Sequence, residues 1–288
     1  EVEMSVRDFF IKLSKLERKY IYLVVLIGLI IPLIFPPNFP QKMSPQVRRV
    51  FEYIDTLPKG SYVILSADYD PSVAPEVHPM YKAVVKHCIL KGIIPIGMTL
   101  IIQGAGLAVD AFTEAEEILG ARRDTDYVFL GYQAGISSVV LGLGEDIKSV
   151  YKTDYFGTKT EEIYALKPVK NYKDIALVIS FSGSSIPTTW AVYAYTKYGV
   201  KVAAAVTGVS AGDFYPYIQA GQFIGMLAGM KAAAEYEHAV NQILKERNVG
   251  KPSTDAIRRM DANSIGQLLI ILFIIIGNIG YFLSRRRK

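Results

Sequence analysis

The chain has 288 residues, 51% of them hydrophobic and 20% charged, with a formal net charge of +5, three histidines and one cysteine. A single cysteine excludes an intrachain disulfide and a cysteine-rich zinc site, and the three histidines, His78, His87 and His238, are too few and too scattered for a three-histidine metal centre. Much of the positive excess flanks apolar runs, without any aromatic-plus-basic ribonucleoprotein motif, so nucleic acid is not an expected partner.

Residues 1–19 form a basic lead carrying Arg7, Lys12, Lys15, Arg18 and Lys19. Residues 20–37 contain no charge and approach the roughly twenty apolar residues that carry a helix across a bilayer. Their exit through Pro36, Pro37 and Pro40 lacks a small-x-small cleavage signal, which predicts an uncleaved anchor. A second uncharged run, 264–283, ends in the basic tail 284–288, and a charged linker, 247–263, leads into it. Basic residues outnumber those on the domain side of both runs, so the termini are expected in the cytoplasm and the domain outside. This predicts an integral protein of the cell membrane with lipid as its first partner.

Between the runs, 47–246 reads as one α/β domain. After a short amphipathic helix over 47–57, apolar strands are expected at 62–67, 93–100, 127–130, 175–180 and 200–206. Helices are expected between them at 76–91, 105–119, 134–143 and 186–198, and a long final one at 210–245. Continuous apolar strands alternating with helices imply a mainly parallel sheet covered on both faces, a Rossmann-like or flavodoxin-like three-layer sandwich. Residues 146–173 break the rhythm with a long, polar, tyrosine-rich connection of the kind that is usually functional or an interface. The richness in Ile, Tyr, Lys and Glu leans towards a thermophilic composition.

Ligands of such sheets bind where strands end. The first strand ends in Asp68-Tyr69-Asp70-Pro71, near Glu76 and His78. Asp68 and Asp70 are candidate ligands of a hard divalent cation, or else aspartates that cap the turn before Pro71. The fourth strand ends in Ser182, Gly183, Ser184 and Ser185, with Thr188 in the following helix. Small hydroxyl residues at a strand-to-helix turn leave backbone N–H groups for an anion, or simply cap the helix. Gly221, Gly225 and Gly229 recur every fourth residue, and on a helix would form a close-packing face or a subunit interface. No G-x-G-x-x-G, P-loop or nucleophile elbow occurs, and no organic cofactor is implied.

Ser180, Ser182, Gly183, Ser185 and Thr188 follow the S-x-S-G-x-[ST]-x-x-T turn of the sugar isomerase domains, and this unit resembles them, apart from Pro187 where an acidic residue is usual. That resemblance implies a phosphosugar-binding turn. Over the whole chain, DYDPSxAPE at 68–76, TDYxGT at 153–158 and the segment ending AAEYE at 237 resemble an uncharacterised family of prokaryotic two-span membrane proteins. That resemblance implies membrane residence and no activity.

The expected function is therefore a membrane-anchored, non-catalytic α/β protein. It would assemble as a homo-oligomer or with other membrane subunits, in a scaffold or ligand-binding role. The alternatives are a membrane-bound enzyme acting on a phosphorylated or anionic small molecule, and a sensor or solute-binding component of a transport or signalling complex.

Overall fold

A computed structural model describes residues 12–13, 16–37, 39 and 41–285. Of the flanking basic residues, Arg7, Lys15 and the tail beyond Arg285 lie outside the described residues. The chain divides into two units, Gln41–Ala256 and the pair of segments Glu1–Pro40 and Ile257–Lys288.

In chain order the elements are α1 (Arg18–Ile34), α2 (Pro45–Thr56), β1 (Tyr62–Asp68), α3 (Ala74–Lys91), β2 (Ile94–Thr99), α4 (Gly104–Leu119) and β3 (Val128–Tyr132). Then come α5 (Ile136–Leu143), α6 (Ile147–Val150), β4 (Ile175–Ser182), α7 (Ile186–Thr189), a π-helical stretch (Trp190–Tyr195) and α8 (Thr196–Tyr198). The chain continues with β5 (Val202–Val206), α9 (Ala211–Gln219), β6 (Met226–Ala228), α10 (Gly229–Arg247) and α11 (Asp255–Arg285).

All six strands pair in parallel, in the order β3-β2-β1-β4-β5-β6. This is the Rossmann order rather than the flavodoxin one, with its switch point between β1 and β4. Alternate side chains supply the two faces. Ile64, Ile96, Met98, Val178, Val202 and Ala204 share a core with Val139, Val140, Trp190 and Phe214 from the helices on one side. On the other side, Tyr81 of α3 makes edge contacts with Phe112 of α4 and Phe181 of β4.

The 146–173 connection carries the chain from edge strand β3 past β2 and β1 to β4. Its Tyr151, Ile163, Leu166, Val169 and Tyr172 are buried in the core, so it forms part of a layer of the fold.

One expectation is corrected. Residues 210–245 do not form a single helix, because α9 ends at Gln219, Gly221 turns with φ +73°, and the chain re-enters the sheet as the sixth strand. Gly221, Gly225 and Gly229 therefore share no helix face. A Cβ on Gly225 would lie 2.6 Å from the Gln46 carbonyl and 2.8 Å from Val50, so this glycine admits the first turn of α2. One on Gly229 would lie 3.0 Å from the Gly208 Cα, and Gly221 has open space around it. Both close approaches are inside the domain.

Helix α10 ties down the domain's two chain ends. Glu235, buried, accepts hydrogen bonds from the Ser44 N–H (2.9 Å) and Oγ (2.8 Å), where the domain begins. Glu237 accepts from Ser253 Oγ (2.8 Å), and the Asn241 amide donates to the Ser253 carbonyl, where it ends. The AAEYE segment is thus explained by structure.

In the other unit, α11 is one helix long and apolar enough to cross a membrane. The helix through the first apolar run, Arg18–Ile34, has only 17 residues, because Phe35 leaves helical geometry before Pro36 and Pro37. The two helices touch through glycines: a Cβ on Gly266 would lie 2.8 Å from the Leu29 side chain, and one on Gly28 would collide with Leu269.

Candidate functional site

The register pairs Asp68 with Ser182, so the two strand ends singled out in the sequence are neighbours at the switch point. Asp68 is buried, and its Oδ1 accepts from the Leu100 N–H (2.8 Å) and Ser66 Oγ (2.8 Å). Its Oδ2 accepts from Ser180 Oγ at 3.2 Å. Burial raises the carboxyl to about 6, against the opposing pull of these donors. Trp190 also favours the charged form, although its indole N–H makes no full hydrogen bond among the described residues.

Asp70 lies in a different environment. It is half-buried, and its Oδ1 accepts from the Ser72 N–H at 2.7 Å, which with other donors of the same turn holds it below the usual carboxylate range. This is the turn-capping role of aspartate. Asp68 is committed to the sheet edge and Asp70 to its own turn, so the structure does not join them as a chelating pair. No group of three or more histidine, cysteine, aspartate or glutamate side chains could hold a metal among the described residues.

Part of the serine turn is satisfied internally. Ser182 Oγ bonds Ser184 Oγ (2.9 Å) and accepts from the Ser184 N–H (3.0 Å). The Ile186 N–H reaches Ser184 Oγ (3.4 Å), and Thr188 Oγ1 donates to the Ser185 carbonyl (2.7 Å). Val73 fills the space beside Gly183, where a Cβ would come within 2.7 Å of it. Across the crevice, Glu76 Oε2 accepts from the Gly208 N–H after β5 at 2.8 Å. A carboxylate of the protein thus sits on a backbone donor that a bound anion would use.

Open space lies further along the same edge. A cleft of about 750 Å³ is bounded by the start of α4, the end of β3 and residues 150–155. Ile102, Leu130 and Val150 give it apolar wall, Gln133, Lys152 and Thr153 supply polar groups, and the Tyr132 and Tyr155 rings are 40% and 49% exposed. The sequence analysis missed this region. Its signal was Gly104-Ala105-Gly106 at a strand-to-helix turn. A Cβ on Gly104 would collide with the Ala67 carbonyl, whereas Gly106 lines the cleft with nothing within 4 Å of that position.

Two of the three histidines, His78 and His87, are held in packing networks. Tyr69 OH bonds His78 Nδ1 (2.7 Å), and His78 Nε2 bonds Asp110 (3.0 Å), beside Lys82, Lys86 and Glu114 in a ladder between α3 and α4. His87 stacks on Phe51, with Tyr236 OH 2.8 Å from its Nδ1, and burial lowers it to about 4. Burial pushes the neighbouring Cys88 thiol up to about 12, which leaves it inert at neutral pH.

Strand order and site together define an α/β protein of Rossmann-like topology, with Val73 packed beside Gly183 and Glu76 bonded to the Gly208 N–H at its strand-end edge. No family model, curated protein or solved structure matches the chain.

Proposed function

We propose that this protein is a membrane-anchored Rossmann-like domain that binds a small polar molecule without transforming it, in the cleft beside β3 and α4. The observation that carries the reading is the Glu76–Gly208 contact. It puts a carboxylate of the protein on a backbone donor at the strand-end edge, where sheets of this topology receive their ligands. The serine turn adds to it, since the Ser182 and Ser184 hydroxyls are spent on one another. The enzyme alternative would need Asp68 and Asp70 to share a cation, and their carboxyls face different surroundings.

Anchoring by both apolar helices is part of the proposal. Their reciprocal glycine–leucine contacts are the kind that brings membrane helices together. The basic flanks orient the domain to the outside. The glycine pattern that motivated a homo-oligomer is accounted for within one chain, so the number of copies is left to measurement. Calorimetric titration of the full chain in nanodiscs with ADP and NAD tests the closed crevice. No saturable binding is expected, and tight binding of either would overturn the reading.

A further inference from the structure

A second feature beside the cleft has chemistry of its own. In the 153–159 hairpin, Asp154 Oδ1 accepts from the Phe156 N–H (3.0 Å) and the Thr158 N–H (2.7 Å), which explains an aspartate at this turn. Its Oδ2 is not explained. The side chain is 5% exposed, and Oδ2 has no hydrogen-bond partner among the described residues. In the facing turn at 122–127, Asp124 holds positive φ at 64°, and its Oδ1 is likewise shielded from water without a partner.

The two turns are in contact. Arg123 pairs with the outer oxygen of Asp124 at 3.5 Å while its guanidinium covers the Phe156 ring at 4.2 Å. Burial raises the Asp124 carboxyl, the Asp154 carboxylate raises it further, and Arg123 only partly opposes them. Two buried carboxylate oxygens without partners, on turns that touch, are costly unless a positive charge joins them.

We propose that Asp124 and Asp154 together hold a hard cation, calcium by donor chemistry, which pins the 153–159 hairpin to the turn that leads into β3. The donors are all oxygen, with no histidine or cysteine in the pair, which suits calcium rather than zinc or copper. A bare cation sits at about 2.4 Å from a carboxylate oxygen, closer than water does, so it fits where a water is excluded. Calcium tolerates the irregular donor geometry that two such turns offer, and magnesium does not. The hairpin carries Tyr155, so the ion would hold one wall of the cleft rigid. The site shares Asp154 with the cleft wall, and its argument does not depend on which molecule the cleft binds.

The test uses the full chain in nanodiscs, stripped with chelator, and follows thermal unfolding by the fluorescence of Trp190, the one tryptophan. At a hundredfold excess over Kd, calcium should raise Tm by about 5–10 °C. Magnesium at the same concentration should do much less. Asp154→Asn keeps an oxygen for the turn, and should abolish the calcium shift while melting no lower than stripped wild type, because a like-charge contact is gone. Asp124→Asn should also abolish it, and Asp146→Asn, at a helix N-cap elsewhere, should retain it. Calcium titration should give one ion per chain. The proposal is overturned if millimolar calcium leaves Tm unchanged. It is equally overturned if both aspartate variants keep the shift.

Discussion

Asp68→Asn separates electrostatic cost from shape at the switch point. The variant can still accept from Leu100 and Ser66 through its carbonyl and can donate to Ser180 through its amide. Asp68 titrates at about 6 in the folded domain, against about 3.9 in an unfolded chain. The folded value is the higher one, so the ionised carboxylate costs stability above pH 6. That cost is relieved as pH falls through 6 towards 4, with a limit of about 3 kcal/mol. His87 acts in the opposite sense: lowered to about 4 by burial, it removes stability over the same interval. The wild-type profile alone therefore hides both, and the wild-type-minus-variant difference isolates Asp68. Urea unfolding followed by Trp190 fluorescence should show this difference rising by about 2 kcal/mol between about pH 7.5 and pH 4.5. A flat difference, or one that falls on acidification, would refute the burial argument.

Gly225→Leu forces a side chain into the Gln46 carbonyl and Val50, and should cost about 1–3 kcal/mol in urea unfolding while leaving the native mass unchanged. A changed oligomeric mass would restore the subunit-interface reading. Glu235→Ala strips the acceptor from the Ser44 N–H and hydroxyl, and should cost about 1–3 kcal/mol and expose the start of α2 to protease. Unchanged proteolysis would contradict it. In a Cys88→Ser background, Leu29→Cys with Gly266→Cys should cross-link within one chain in membranes, and failure under oxidant would count against the paired helices.

Much of the sheet was legible because continuous apolar strands alternated with helices of clear period, and Asp68 and Ser182 were placed at one edge on that ground alone. The three-residue strand Met226–Ala228 was hidden, since Gly221, Gly225 and Gly229 imitate a helix face when only spacing is read. The serine turn was legible as a strand-to-helix junction but not as a closed one. Glu76 reaches Gly208 from 132 positions away in sequence, and no local pattern announces that. The Asp124 and Asp154 oxygens were unreadable for the same reason, because an orphaned acceptor is defined by what fails to surround it. The tyrosine-rich connection was correctly marked as unusual, yet its burial follows from having to cross the sheet from β3 to β4.

The central claim is that the open cleft, rather than the switch-point crevice, receives a ligand. Native mass spectrometry of the full chain, gently extracted and released from nanodiscs, tests it most directly with two variants, Tyr132→Ala combined with Gly106→Val, and Ser184→Ala. The account predicts a small-molecule adduct on wild type and on Ser184→Ala that is lost from the cleft variant while its domain still melts cooperatively. An adduct that survives in the cleft variant and disappears with Ser184→Ala would place the site back at the serine turn and contradict the account.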